Sequence, residues 1–199
     1  NASELHLRRV YKTVLMLPWA MPAYISILLW RVGIFNTEFG ILNKLLGLLG
    51  FEKIDFLGSN AIAFCSCLVL NLWMALPFMI STIDGALQSV DRNLYESAKL
   101  DGAGFWTTVC SITVPSIWPI VAPAAVMTTF ITFKQFDIIY LLTQQRGYMT
   151  GANLNTVITY AYQNAFVSNN YGLSSAVSML LFVIIILFSL MTNRSLREE

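Results

Sequence analysis

Four stretches of the chain carry no charged side chain and are rich in Leu, Ile, Val, Met, Ala and Trp. They are residues 13–30, 56–83 (apolar core 61–80), 102–133 (apolar from near Ile112) and a last run with its apolar core at 173–191. Each core approaches the ~20 residues that carry a helix across ~30 Å of hydrocarbon. Only helices and closed barrels satisfy their backbone there, and these runs lack the strict alternation of barrel strands. The pattern therefore predicts an all-α, polytopic membrane helical bundle with four transmembrane helices.

Three polar connections separate the spans. Residues 31–60 hold a short helical pattern, Ile41-Leu42, Leu45-Leu46 and Leu48-Leu49. Residues 84–111 are polar and Gly-containing, and residues 134–172 carry Arg146, Gly147, Gly151 and many Asn and Gln. An even number of spans puts both tails on one side. The tails and the middle connection hold Arg8, Arg9, Lys12, Arg92, Lys99, Arg194 and Arg197, while the other two connections hold Arg31, Lys44, Lys53, Lys134 and Arg146. Seven cations against five favour cytoplasmic tails. The matches to a glycosylation pattern at residues 1–3 and 193–195 would then be cytoplasmic and without effect.

All six prolines (Pro18, Pro22, Pro77, Pro115, Pro119, Pro123) lie in or at the ends of apolar spans. Pro115, Pro119 and Pro123 recur every four residues and so share a helix face. Kinked helices line transport paths, although proline is also simply commoner in membrane helices than in soluble ones.

Composition agrees with the spans. Of 199 residues, 56% are hydrophobic and 12% charged, about half the usual ~25%, too few charges to solvate a globular surface. A net charge of +1 supplies no basic field for nucleic acid. Cys65, Cys67 and Cys110 sit in or beside apolar sequence and read as packing residues, with neither the partners of a metal site nor the framework of disulfides. The one histidine, His6, lies in the polar N-terminal stretch, which leaves no material for Ser-His-Asp or Cys-His catalysis. No P-loop motif occurs, so the chain itself is not expected to hold ATP. No metal, cofactor or catalytic residue is expected. No signal peptide is visible at Asn1, and the sequence reads as a piece of a longer protein.

The middle connection is the most specific segment. Asp91 suits a helix N-cap; Leu94 and Ala98 make a short apolar stripe, Glu96 and Lys99 can pair at i,i+3, and Gly102 suits the left-handed position after a helix. A short amphipathic helix outside the bilayer is predicted, needing something to pack against.

Glu96-Ser97-Ala98, three residues, Gly102, nine residues, Ile112 and then Pro115 resemble the E-A-A-x3-G-x9-I-x-L-P signature. That signature marks the (MetI-like) permease subunits of binding-protein-dependent ABC importers. Ser97 replaces an Ala and Val114 a Leu. Leu17-Pro18-Trp19-Ala20-Met21-Pro22, Phe35-Asn36 through Gly40 and Asn43, Leu94-Tyr95-Glu96 and Leu100-Asp101-Gly102-Ala103 are similar to the maltose-type carbohydrate branch. So are Phe136, Leu141-Leu142-Thr143 and Tyr171-Gly172. One departure is Gln144-Gln145-Arg146-Gly147, where the family commonly has a Gly-Gly-Pro-like turn.

The resemblance implies that residues 1–199 form part of a permease domain whose leading helices precede Asn1. It implies a bacterial or archaeal cell membrane, with both ends of this segment cytoplasmic. The implied partners are two copies of an ATP-binding subunit, a second permease, an extracytoplasmic sugar-binding protein, a sugar substrate and membrane lipid. Tyr95, Glu96, Ser97, Ala98, Leu100, Asp101 and Gly102 would form the helix that docks on the ATPase. Glu96 would pair with the groove wall, and ATP hydrolysis would reside on that separate chain.

Sugars bind through aromatic platforms and hydrogen-bonding groups, and polar groups in a span need a use or a partner. Asn71, Trp73, Phe78 and Ser81 on the second span and Thr128, Thr132, Phe133 and Gln135 on the third are the candidate path. Asn71 and Phe78 share one helix face, and Thr128, Thr132 and Gln135 another. Ordinary helix–helix packing would use the same residue types. Alternatives are an importer of another small solute such as glycerol phosphate, for which no basic cluster is evident, an intramembrane enzyme, or a structural membrane protein. The enzyme would need acidic or histidine groups that the apolar cores lack.

Overall fold

The structure, a computed structural model, describes residues 8–144, 152 and 154–195. In chain order the helices are α1 (Arg8–Ala20), α2 (Ala23–Leu29), α3 (Ile41–Leu48), α4 (Asn60–Ser89), α5 (Arg92–Leu100), α6 (Phe105–Thr108), α7 (Val114–Phe133), α8 (Asp137–Ile139), α9 (Val157–Phe166) and α10 (Tyr171–Ser195). Three wider π-helical turns continue α2, α6 and α8, at Trp30–Ile34, Val109–Thr113 and Tyr140–Gln144. Among the described residues there is no strand, as the missing alternation requires.

Among the described residues, three helices are long and apolar enough to cross a membrane: Asn60–Ser89, Phe105–Phe133 and Tyr171–Thr192. The first charge-free run differs from expectation. It is not one helix but two, bent by 102° at the break between Ala20 and Ala23, and it makes a fourth span only if the bent pair is counted as one. Pro22 explains the break. It has no N–H for the carbonyl of Pro18, and its ring drives the preceding Met21 out of the helical region. Pro77, Pro119 and Pro123 sit inside helices that continue past them.

The chain divides into two compact units, Asn1–Met74 with Thr132–Glu199, and Ala75–Ile131. The larger unit holds the buried cluster Ile27, Phe35, Leu57, Ala63, Cys67, Leu70, Ile138, Leu142 and Ala152. Its loop 35–58 is fixed by one side chain. Buried Asn43 donates to the carbonyls of Asn36 (3.3 Å), Thr37 (3.3 Å) and Ile54 (2.8 Å) and accepts from Ile54 N–H (2.9 Å). Gly40, at the start of α3, is required there: a Cβ would come within 3 Å of the backbone at Asn36 and Ile34. In the same unit α9 packs on α10, and Ser174 Oγ donates to Ala161 O at 2.8 Å. Thr156 and Thr159 cap α9 reciprocally.

None of the most apolar stretch of α10 is buried within the chain. A helix that is apolar all round and uncovered belongs in lipid or against another subunit.

Candidate functional site

The smaller unit carries α5. Asp91 accepts from Asn93 N–H at 3.0 Å and starts the helix. Its end is a double hydrogen-bonded closure: Ala103 N–H reaches Ala98 O at 2.9 Å and Gly102 N–H reaches Lys99 O at 3.2 Å. Gly102 stands at φ +73°, a conformation that glycine adopts without a Cβ penalty. Both ends are thus as the sequence predicts. The Glu96–Lys99 pair is not: among the described residues no ion pair joins them, and both side chains are exposed. An exposed pair of this kind gains only tenths of a kcal/mol, which leaves both heads in water.

Of the seven predicted docking residues, Ala98 is buried and Tyr95 half-buried. Glu96, Ser97, Leu100, Asp101 and Gly102 are exposed, and Leu100 is 90% exposed. A capped helix is therefore held against its own unit by Ala98 and Tyr95 while Leu100 and Glu96 face outward. Phe105 and Trp106, ring centroids 5.4 Å apart, extend this apolar exposure just beyond Gly104.

Tyr95 makes one contact that sequence spacing did not single out. Its hydroxyl lies 3.3 Å from Thr113 Oγ1, across 18 residues. Thr113 Oγ1 also donates to Thr108 O at 3.3 Å. The signal available was a hydroxyl residue standing directly before Val114-Pro115 in an apolar run.

The candidate path residues divide between the units. Asn71 and Trp73 belong to the larger one, with Thr132, Phe133 and Gln135; Phe78, Ser81 and Thr128 belong to the smaller. Asn71 and Phe78 lie on one continuous helix, α4, so their shared face stands. Gln135 does not share the face of Thr128 and Thr132, because α7 ends at Phe133 and Gln135 N–H turns back to Thr132 O at 3.1 Å. Trp73 packs its ring on Trp30, centroids 5.3 Å apart, beside the core. Thr128 Oγ1 bonds Ala124 O at 2.9 Å and lies 3.7 Å from Met79 Sδ, a contact between α7 and α4. Asn71 is half-buried, and no hydrogen bond of its side chain is present among the described residues.

Arg31 is placed differently from expectation. Counted above as a loop charge, it is 4% exposed and its guanidinium donates to the carbonyl of Leu141. Its position directly after an unbroken apolar run was the available clue. The rings of Phe136, Tyr140, Tyr162 and Phe166 form a contiguous cluster in the same unit, neighbours 4.8–5.1 Å apart. Gln145, Arg146 and Gly147, the departure from the usual outer turn, lie outside the described residues, as do His6 and residues 1–3.

Comparison with known proteins fits this geometry. Residues 4–197 match the family described as "Binding-protein-dependent transport system inner membrane component". The trehalose/maltose transport system permease protein MalF of Thermococcus litoralis is 33% identical over 184 residues, 92% of this chain and 60% of that protein. The galactooligosaccharides transport system permease protein GanP of Bacillus subtilis is 29% identical over 206 residues, 100% of this chain and 49% of that protein. The chain thus spans about half to three fifths of the length of these two relatives. A chain of a bacterial alginate ABC transporter, crystallised in complex with an alginate pentasaccharide-bound periplasmic protein, superposes with a TM-score of 0.86 at 26% identity. That match covers 98% of this chain and 67% of the other.

Proposed function

The chain belongs to the family of binding-protein-dependent transport system inner membrane components, and from that premise we propose that it is a permease subunit of an ATP-driven carbohydrate importer. It is a multi-pass membrane protein. Its relatives are transport components, and in this reading ATP hydrolysis belongs to a separate subunit. The observation that carries the proposal is α5: a helix capped at both ends and set between two apolar helices, with Glu96 and Leu100 exposed. A nine-residue helix is marginal in isolation, and its outward face suits a groove on the ATP-hydrolysing partner. Tyr95, Glu96, Ser97, Ala98, Leu100, Asp101 and Gly102 then form the docking element, and Ala98 seats the helix on its own subunit.

Orientation follows the charges. With Arg31 buried among protein groups, the tally of loop cations is seven against four rather than seven against five. This supports the reading of cytoplasmic tails, in which α5 lies on the same side as ATP.

Carbohydrate is the proposed cargo because the relatives named above carry sugars and because the spans present amides, hydroxyls and aromatics rather than a basic cluster. Asn71 supports it best, as an amide in an apolar helix without a hydrogen bond among the described residues. Phe78, Ser81, Thr132, Phe133 and Gln135 remain candidates beside it. Thr128 and Trp73 have packing partners of their own. A binding protein outside the membrane and a second permease complete the assembly.

The test is co-purification of the ATP-hydrolysing subunit with the full-length protein. Glu96→Lys is expected to release it, whereas the charge-matched Glu52→Lys, exposed on another connection, is expected to retain it. Retention by both variants refutes the docking role. Stimulation of ATP hydrolysis by maltose, trehalose or a galactooligosaccharide, presented with the binding protein, identifies the cargo; no response to any sugar refutes the carbohydrate assignment.

A further inference from the structure

We propose that Thr113 is a positioning residue of transport, tied by Tyr95 to α5 so that a displacement of α5 is delivered to the π-helical turn Val109–Thr113 at the base of α7. The inference rests on the docking role proposed for α5.

Among the described residues, Tyr95 makes the one side-chain hydrogen bond that leaves the segment 91–103. Its direction follows from counting hydrogens. A threonine hydroxyl has one, and that of Thr113 points to Thr108 O, so Tyr95 donates and Thr113 accepts. Both hydroxyls are half-buried, and the bond joins the helix that meets the partner to the last residue of the turn.

The turn itself is suited to move. It closes through Val114 N–H on Val109 O, a ring one residue wider than an α-helical one and less regularly bonded. None of its residues is buried, so neighbours do not hold its shape. Just beyond it, Pro115, Pro119 and Pro123 have no N–H, and the carbonyls of Ser111, Pro115 and Pro119 lose their α-helical donors. A wide turn followed by donor-free positions is the soft part of this helix. Gaining or losing the extra residue of a π turn rotates everything after it, relative to what precedes it, by about one residue, ~100°. A pull on Thr113 is therefore converted into rotation of α7, which carries Thr128 and Thr132.

The experiment uses the full-length protein purified with its ATP-hydrolysing subunits and returned to lipid bilayers. Hydrogen exchange of the amides at 109–114 is compared without nucleotide and with ATP trapped by vanadate. The unmodified protein is expected to show a nucleotide-dependent change in exchange at these amides. Thr113→Val should reduce that change by roughly fivefold, the weight of one net hydrogen bond, while ATP hydrolysis persists. Thr113→Ser, which keeps the hydroxyl, should retain it. Tyr95→Phe removes the donor but leaves the Thr113–Thr108 bond intact, and should reduce the exchange response at 109–114 to the same extent as Thr113→Val; combining the two should reduce that response no further. Equal responses in Thr113→Val and Thr113→Ser overturn the proposal, as do multiplicative losses in the double variant. An unmodified protein that hydrolyses ATP without any change at 109–114 also overturns it and leaves the docking role standing. A complex that contains no ATP-hydrolysing subunit refutes the docking role itself.

Discussion

Replacing Gly102 tests whether the end of α5 is held by geometry or merely tolerated. The residue sits at φ +73°, and a Cβ built there meets nothing within 4 Å. Neighbours therefore contribute no clash, and the whole cost is conformational, about 1–2 kcal/mol for an L-residue in the left-handed region. The chain could instead leave that region, but it would lose Ala103 N–H to Ala98 O and Gly102 N–H to Lys99 O, about 1 kcal/mol each. The two routes compete. For Gly102→Ala the strained closure is the cheaper, so exchange of the amides at 102 and 103 should rise by about fivefold, roughly 1 kcal/mol. For Gly102→Val, whose branched side chain is a worse fit to positive φ, the closure should open and α5 should fray at its end. Hydrogen exchange on the purified protein in lipid reads this, and co-purification of the ATP-hydrolysing subunit should fall in the same order. Gly85→Ala is the control, since Gly85 lies inside α4 with open space around it; alanine there should be neutral or stabilising by up to about 1 kcal/mol. Unchanged exchange at 102–103 in both Gly102 variants would refute the reasoning, and so would equal damage from Gly85→Ala.

Other outcomes follow from single contacts. Asn43→Ala removes the amide that binds three carbonyls and one N–H, and should lower stability in detergent by about 3 kcal/mol; an unchanged melting temperature would contradict the role given to that side chain. Trp73→Ala should destabilise by about 2–4 kcal/mol through lost packing on Trp30; full stability with lost sugar response would return Trp73 to the path. Asn71→Leu should leave the melting temperature unchanged or raised, because an amide is exchanged for apolar volume in an apolar helix, while substrate-stimulated ATP hydrolysis is lost; normal stimulation would exclude Asn71 from the path. Leu100→Asp, at a position 90% exposed, should leave the fold intact and weaken ATPase binding at least tenfold; unchanged binding in a titration would remove Leu100 from the docking face.

Charge-free runs were enough to find α4, α7 and α10, because a lipid-facing helix needs little more than length and apolarity. The same reasoning did not foresee that the first run is two helices, α1 and α2, since Pro18 and Pro22 read as tolerated kinks while the helix breaks between Ala20 and Ala23 at Pro22. The caps of α5 were legible because Asp91 and Gly102 act within their own neighbourhood. Arg31, Trp73 and Thr113 were not, since each owes its role to a residue distant in sequence: Leu141, Trp30 and Tyr95. Periodicity assigned Gln135 to a helix face but could not see that α7 stops two residues earlier.

Among the described residues, three π-helical turns show where the chain is stiff and where it can give. Trp30–Ile34 is pinned by Arg31 on the Leu141 carbonyl and by Trp30 against both Phe35 and Trp73. In a low-dielectric setting such a buried guanidinium is costly to leave unpaired, which makes the attachment hard to break. Tyr140–Gln144 is pinned from the other side of that bond, with Leu142 fully buried, Thr143 Oγ1 on Ile139 O at 2.7 Å and Tyr140 stacked on Phe136. Opening either turn means breaking several contacts together. Val109–Thr113 buries no residue, and its side-chain hydrogen bonds are both 3.3 Å long and converge on Thr113. The same backbone irregularity thus occurs twice in an over-determined setting and once in a loosely held one. The loosely held turn belongs to the unit that carries α5, where a force from the proposed ATP-hydrolysing partner would arrive.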